Sequence, residues 1–117
     1  MVLKLIRSAP FAPFNLFVRI SPIPCTASTF DIYWIAVSPT FQRQGLGRTI
    51  LYETERLIRA AGGTRIYIDT SQSETYDTTR AFYQQCGYAF ASVLEDFYAP
   101  GDGKVVCCKI LAGRNYL

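Results

Sequence analysis

Two glycines lie in a short stretch that combines backbone freedom with positive charge. Gly45 and Gly47 fall within the segment 42–48, directly before residues with helical periodicity. Glycine lets a ligand approach the backbone closely, and the first turn of a helix offers unpaired amide N–H groups at its positive dipole end. With Arg43 and Arg48 beside these amides, the pattern predicts a site for a pyrophosphate group.

Two other phosphate-binding motifs do not match this stretch. The dinucleotide fingerprint G-x-G-x-x-G requires glycine where Ile50 stands. The P-loop requires Gly-Lys followed by Ser or Thr, and the sequence contains no such tripeptide. What remains is the pattern Q/R-x-x-G-x-G/A after a strand and a proline.

The chain contains no histidine, which excludes Ser–His and Cys–His nucleophile pairs and zinc sites with histidine ligands. Its four cysteines have no C-x-x-C spacing, and the adjacent Cys107 and Cys108 would point to opposite faces of a strand. We therefore expect reduced thiols, a cytoplasmic protein and no metal. Any chemistry must use carboxylates, tyrosines, hydroxyls or backbone amides.

The composition predicts a single folded α/β domain. The 117 residues are 50% hydrophobic and 18% charged, and the longest uncharged run, residues 81–94, is too short to span a membrane. The net charge is +3, with eight basic and three acidic residues up to residue 65 and four basic and six acidic residues after it. A nucleic-acid-binding protein would be more basic and more clustered. We expect neither a nucleic acid nor a membrane as partner.

The middle of the chain predicts a strand, a helix and a second strand. Residues Ile32–Val37 are β-rich and apolar on both faces, as in a buried central strand. Apolar residues then recur at helical spacing over Gly45–Ala61, where Glu55 and Arg59 stand at the spacing of an ion pair. Arg65–Thr70 reads as the second strand, which predicts a right-handed crossover between parallel strands.

The N-terminal end of the chain has little pattern of regular secondary structure, whereas the C-terminal part has a clear one. Residues 1–30 are proline-rich and predict an irregular lead-in with a short strand over 17–20, whereas 31–117 predict the domain proper. After a helix over about Tyr76–Cys86, two further strands over 88–95 and 104–111 are joined by a loop in which Asp102-Gly103 favours a hairpin turn.

The glycine-containing stretch resembles the coenzyme A pyrophosphate loop of the GNAT superfamily of N-acetyltransferases. Val37-Ser38-Pro39 precedes it as the V-x-P of that family, and Ala81–Tyr88 is similar to the family signature x-F/L-Y-x-x-x-G-F/Y. Residues 96–102 are similar to the terminal hairpin of some small bacterial members. The resemblance covers about residues 31–111 and implies an acetyl-CoA-binding domain with a mixed central sheet and helices on both faces.

The resemblance also implies roles for individual residues. Tyr83 matches the tyrosine that protonates the departing thiolate, and its ordinary pKa near 10 keeps it protonated at neutral pH; a core aromatic beside Phe82 is the alternative. Backbone groups of the central strand would contact the pantetheine arm, at Ile35, Ala36 and Val37. The pyrophosphate would be held by Gln42, Arg43, Gln44, Gly45, Leu46, Gly47, Arg48 and Thr49.

A general base is less clearly indicated. Asp31 stands where histone-acetylating members keep a glutamate, and because aspartate is shorter, a bridging water would be needed. A solvated carboxylate at a strand end is the alternative interpretation. Asp69 and Glu74 are weaker candidates, and many members rely on water chains instead.

Two departures from the family pattern concern the acceptor side. Tyr76 and Thr79 stand where many members have asparagine and alanine. The family also places a strand, two helices and two more strands before the central strand, so we expect the N-terminal strand and helix elements to be largely missing. A sheet shortened in this way favours a homodimer, in which a second copy covers the exposed edge.

The sequence therefore predicts an acetyl-CoA-dependent N-acetyltransferase that moves an acetyl group to a primary amine by direct attack. The acceptor is a small molecule or a peptide, and no residue identifies it further. The alternative is a catalytically degenerate domain that binds CoA or a protein partner without turnover. A small basic nucleic-acid module is a third interpretation, without a recognised binding motif to support it.

Overall fold

A computed structural model describes residues 2–5, 8–9, 12–13, 16–36 and 46–111. These residues form eight strands, two α-helices and one 3₁₀ turn. In chain order the elements are β1 (Val2–Leu5), β2 (Ser8–Ala9), β3 (Ala12–Pro13), β4 (Leu16–Pro22), β5 (Thr29–Ala36), α1 (Leu46–Ala60), β6 (Arg65–Ser71), the 3₁₀ turn (Glu74–Tyr76), α2 (Asp77–Gln85), β7 (Ala89–Ala99) and β8 (Asp102–Ile110).

Six of the strands form one mixed sheet in the order β1-β4-β5-β6-β8-β7, and β2 pairs only with β3. β5 and β6 are parallel and are connected through α1, whereas the other neighbours in the sheet are antiparallel. The mixed α/β fold and the parallel strand–helix–strand unit predicted from the sequence are confirmed.

Strands also occur in the first thirty residues. The short strand predicted over 17–20 is the longer β4, which pairs with β5, and β1 adds a further strand outside β4. Residue 31, where the sequence analysis begins the domain, lies inside β5. Before β5, the described part of the chain contains strands and no helix.

The hairpin turn between β7 and β8 differs from the prediction. Ala99 pairs with Asp102, which leaves Pro100 and Gly101 as the two turn residues. Proline presets the backbone angle of the first turn position, and Gly101, with φ +81°, takes the left-handed second position. The predicted Asp102-Gly103 turn is therefore wrong, because both of these residues belong to β8.

β5 and β6 are paired over only part of their length. Thr29–Ile32 pair with Arg65–Ile68, but residues 33–36 of β5 do not pair with residues 69–71 of β6. Of the remaining residues of β5, 34–36 pair with β4 on the other side, and Tyr33 lies at a register shift between the two strands. The two parallel strands therefore separate in the middle of the sheet, and their backbone groups face each other across a gap.

Both helices pack against the same face of the sheet. One hydrophobic cluster combines Ile50, Leu51 and Ile58 of α1 with Tyr83 of α2 and the buried residues of β5, β6 and β8. The family resemblance predicts helices on both faces. In the described ranges the opposite face, which we call the open face, has no helix; it carries Asp31, Tyr33, Tyr67, Asp69 and Cys108.

The turn after α1 contains two glycines with different constraints. Gly62 has φ +87° and open space where a Cβ would lie, whereas a Cβ on Gly63 would lie 2.4 Å from Cγ2 of Ile58 and 2.8 Å from Cδ1 of Phe30. We expect Gly63→Ala to destabilise the fold by about 2–3 kcal/mol through overpacking. Gly62→Asn should cost less than about 1 kcal/mol, since asparagine tolerates the left-handed region. Urea unfolding of both variants checks this, and equal midpoints would contradict it.

Candidate functional site

A cavity of about 590 Å³ opens where β5 and β6 separate. Its wall combines residues of six elements, so that residues distant in sequence meet at one place. The lining residues are Tyr33 of β5, Asp69, Thr70 and Ser71 of β6, Tyr76 of the 3₁₀ turn, Thr79 and Tyr83 of α2, Tyr98 of β7 and Asp102 of β8.

Tyr83 is the buried tyrosine of this wall. It is 9% exposed, and its ring packs against the rings of Phe82 and Tyr88 at centroid distances of 5.8 and 6.1 Å. No residue in the described ranges forms a hydrogen bond with its hydroxyl. Burial, with smaller contributions from Cys107 and Cys86, raises the pKa of Tyr83 to about 12. The cavity wall thus contains a tyrosine that keeps its proton at neutral pH.

The raised pKa of Tyr83 links stability to alkaline pH. The unfolded chain releases this proton near the ordinary tyrosine pKa of about 10, whereas the folded chain releases it near 12. The stabilisation is therefore complete below pH of about 10 and is lost as the pH rises towards 12. We expect urea unfolding to show this loss for the wild type and a shallower loss for Tyr83→Phe. Parallel stability profiles for the two proteins would contradict this assignment.

Asp31 lies on the open face and is half-buried. Burial raises the pKa of its carboxyl, and the negative charge of Asp69 raises it further, while a hydrogen bond from Tyr33 and the charge of Lys104 act in the opposite direction. Asp69 itself pairs with Lys104 at 2.9 Å. Asp31 is not one of the residues that line the cavity, so the structure places it beside the site rather than in its wall.

The described residues that are predicted to bind the cofactor lie at the end of β5 and in the first turn of α1. Ile35 and Ala36 form the end of β5, beyond its pairing with β6. The first turn of α1 consists of Leu46, Gly47, Arg48 and Thr49, of which Arg48 and Thr49 are exposed. The predicted residues Val37, Gln42, Arg43, Gln44 and Gly45 lie outside the described residues.

Gly47 brings the first turn of α1 against α2. A Cβ on Gly47 would lie 3.3 Å from Cζ of Phe82, closer than an ordinary van der Waals contact. Phe82 directly precedes Tyr83 in α2. The glycine at this position therefore permits close packing between the helix end predicted to hold a pyrophosphate and the helix that carries the cavity tyrosine.

Tyr76 and Thr79, the two departures from the family pattern, both line the cavity. Tyr76 is exposed and ends the 3₁₀ turn that leads into α2. The departures thus change the wall of the cavity and not the packing of the core. Glu74 lies in the same turn and is exposed, without a place in the cavity wall.

A buried polar network ties α1 to the end of α2 and was missed by the sequence analysis. Glu55 accepts a hydrogen bond from the Tyr88 hydroxyl at 2.8 Å and pairs with Lys109 at 3.0 Å. Lys109 also donates to the Cys86 carbonyl at 2.8 Å, at the C-terminal end of α2. The predicted Glu55–Arg59 ion pair is wrong, because Glu55 points inward and Arg59 donates to the Leu111 carbonyl.

A signal for this network was present in the sequence. Glu55 stands four residues after Leu51 and three before Ile58, so it shares their face of the helix. Both of these neighbours are fully buried. A carboxylate on an apolar helix face must find a partner when buried, and a lysine or tyrosine from a distant strand is a natural one.

The cysteines are unpaired, as the sequence predicts. Cys86 and Cys107 are buried, Cys25 is exposed, and Cys108 is half-buried on the open face. Within the described ranges, no group of three or more cysteine, aspartate or glutamate side chains is arranged to hold a metal ion. None of the helices in those ranges is long and apolar enough to cross a membrane.

Comparison with known proteins identifies relatives of this chain. The profile described as Acetyltransferase (GNAT) family matches residues 17–88. The ribosomal protein bS18 alanine N-acetyltransferase of Escherichia coli (strain K12) is 29% identical over 73 residues, which make up 62% of this chain and 48% of that protein. The chain thus spans about half the length of the curated relatives it matches.

Solved structures agree in fold. A GNAT-family protein of Desulfovibrio desulfuricans is 34% identical with a TM-score of 0.85, over 92% of this chain and 67% of that chain. A Bacillus subtilis acetyltransferase solved in complex with CoA is 19% identical with a TM-score of 0.77, over 90% of this chain and 74% of that chain. Since the family profile covers more than half of the sequence, this chain belongs to the acetyltransferase (GNAT) family.

Proposed function

We propose that this chain is an acetyl-CoA-dependent N-acetyltransferase that acetylates a primary amine by direct attack. The observation that carries the proposal is Tyr83, a buried residue of the cavity wall whose hydroxyl has no hydrogen-bond partner in the described ranges. A buried polar group without a partner is costly, so its retention at a cavity wall favours a role with a bound molecule.

The residues present fit acetyl-CoA. The gap between β5 and β6 leaves backbone groups of Ile35 and Ala36 without a partner on the β6 side, and the proposed contacts of the pantetheine arm include these residues and Val37. The first turn of α1, with exposed Arg48, suits the pyrophosphate. The proposed pyrophosphate loop comprises the remaining predicted residues, Gln42, Arg43, Gln44, Gly45, Leu46, Gly47 and Thr49.

Acetyl-CoA supplies the acetyl group as an activated thioester. The amine nitrogen forms a bond to the acetyl carbon as the bond from that carbon to sulfur breaks. Backbone N–H groups at the strand gap polarise the carbonyl oxygen, and Tyr83 gives its proton to the departing sulfur. The amine loses one proton in the same reaction, and Asp31 is the proposed acceptor of that proton through a bridging water, with Asp69 and Glu74 as weaker candidates.

Acetyl-CoA binding tests the cofactor half of the proposal. We expect isothermal titration of acetyl-CoA into the purified chain to give saturable binding with one site per chain. Arg48→Glu should weaken binding at least about tenfold, since it reverses a charge at the first turn of α1. Arg56→Glu makes the same charge change about two turns further along the helix and serves as the control. No binding to the folded wild type, or equal losses in both variants, would overturn the assignment.

A domain that binds CoA or a protein partner without turnover is the second candidate function. It is favoured by Tyr76 and Thr79, the two departures from the family pattern, since both line the cavity. Thiol release during incubation of acetyl-CoA with a panel of amines separates the two functions. Saturable binding without release for any amine would favour the non-catalytic domain.

We also propose that the protein is a cytoplasmic homodimer. All residues of β7 are exposed, among them Phe90, Val93, Leu94 and Phe97, and β7 is an edge strand of the sheet. A second copy that covers this strand would remove apolar area and unpaired backbone groups from water. Sedimentation at micromolar concentration should give the mass of two chains, and a monomeric mass would contradict the dimer.

The proposed cytoplasmic location rests on the cysteines, because free thiols suit a reducing compartment.

A further inference from the structure

The cavity wall is acidic. Among the described residues, its lining includes two carboxylates, Asp69 and Asp102, and no lysine or arginine. Lys104 lies nearby and pairs with Asp69 at 2.9 Å. Arg80 also approaches β6, but its guanidinium pairs with Asp77 and donates to backbone carbonyls, including that of Ser71.

Asp102 is the carboxylate of this wall that has no ion-pair partner in the described ranges. The Ser71 hydroxyl donates to its Oδ1 at 2.5 Å, which fixes the orientation of the carboxylate. Asp31 on the open face adds another negative charge near Asp69. Lys104 and the pair formed by Arg80 and Asp77 do not balance these charges, so among the described residues the surroundings of the cavity are negative and favour a cation.

Aromatic rings complete the wall. Tyr33, Tyr76 and Tyr98 line the cavity and are exposed. The faces of such rings attract ammonium groups. The same corner already shows this contact within the protein, since Nζ of Lys104 lies 4.5 Å from the ring centroid of Phe97 on β7.

We propose that the cavity is an acceptor subsite for a primary amine that carries a second cationic group. This inference rests on the proposed function and deepens it. The reacting nitrogen lies towards Tyr83, and the second cation lies at Asp102 and the tyrosine rings. The nitrogen that attacks a thioester must be neutral, so a carboxylate that favours a charged amine would slow the reaction if it held that nitrogen. Held at a second, non-reacting ammonium, the same carboxylate contributes binding without this cost.

Direct binding of a diamine tests the subsite without any requirement for turnover. We expect isothermal titration of 1,4-diaminobutane into the full chain to show saturable binding. Asp102→Asn keeps an oxygen to accept from Ser71 and removes the charge, and it should weaken diamine binding about tenfold. Glu95→Gln makes the same charge change on exposed β7, away from the cavity wall, and should bind like the wild type. Absent diamine binding, or equal binding by wild type and Asp102→Asn, would overturn the subsite.

Acetyl transfer to matched acceptors tests the same inference by rate. We expect kcat/KM to be about tenfold higher for 1,4-diaminobutane than for butylamine, and lower again for 4-aminobutyrate. Glycyl-lysine amide and glycyl-norleucine amide make the same comparison for a peptide amino terminus. The two comparisons together distinguish a small diamine from a peptide with a basic side chain as the acceptor. Asp102→Asn should bring the ratio of diamine to butylamine close to one, and a ratio kept at its wild-type value would overturn the inference.

The binding and rate experiments distinguish failure of the proposed function from failure of the subsite. If no amine is acetylated but the diamine binds and Asp102→Asn weakens its binding, then the proposed catalytic function fails and the cation subsite stands. If amines are acetylated with equal kcat/KM and the diamine does not bind, then the function stands and the subsite fails.

Discussion

Replacing Tyr83 with phenylalanine is expected to lower kcat for acetyl transfer by about 10²–10⁴-fold, the range for loss of a positioned general acid. The change removes only the hydroxyl of this cavity-wall residue, which has no hydrogen-bond partner in the described ranges. The ring keeps its packing against Phe82 and Tyr88. We therefore expect the fold and the affinity for acetyl-CoA to be retained, so that the loss falls on kcat and not on cofactor binding.

Thiol release at saturating acetyl-CoA measures this effect, with titration of acetyl-CoA as the check on binding. Tyr52→Phe is the matched control, because Tyr52 is an exposed tyrosine of α1 outside the cavity wall. A kcat for Tyr83→Phe within about threefold of the wild type would remove the residue from the proposed role and leave it as a core aromatic.

Replacing Lys109 with methionine is expected to lower the free energy of unfolding by about 3–5 kcal/mol. The reason is the environment of its partner. Glu55 is 6% exposed and Lys109 is 21% exposed, so the substitution leaves a buried carboxylate whose remaining donor among the described residues is the Tyr88 hydroxyl. It also removes the donor to the Cys86 carbonyl at the C-terminal end of α2, the helix that carries Tyr83.

Urea unfolding measures this loss, and β8 itself supplies the control. Lys104→Met breaks another lysine–carboxylate pair, in which Asp69 is 42% exposed, and should cost at most about 1 kcal/mol. Adding Glu55→Gln to Lys109→Met should recover part of the loss, because the unpaired charge is then gone. Equal costs for the two lysine variants, or no recovery in the double variant, would contradict this account.

Local sequence patterns predicted most elements of the fold. The apolar run at 32–37 and the spacing of Leu46, Ile50 and Ile58 depend only on neighbouring residues and on the period of a strand or a helix. The same holds for the signature Ala81–Tyr88, which placed Tyr83 on a helix that ends at a glycine. Such signals predict the existence of an element well and its boundaries less well, as β4 and the hairpin turn at Pro100-Gly101 illustrate.

Interactions between distant residues were not visible in these patterns. The helical spacing of Glu55 and Arg59 permits a surface ion pair, but the rotation of α1 is set by burial of Leu51 and Ile58, which turns Glu55 inward. Its partners Tyr88 and Lys109 lie 33 and 54 residues further along the chain. Only packing decides which distant side chains meet a buried carboxylate.

The sequence by itself determined the class of fold, the family signature that contains Tyr83 and the absence of histidine chemistry. The tertiary structure decided where the cavity forms and which residues line it. Strands β5 and β6 pair over four residues each and then separate, and the gap joins Tyr83 to Asp69, Asp102 and three further tyrosines. Strand separation depends on the twist and packing of the whole sheet, which involve contacts between residues far apart in the chain, and no local pattern encodes it.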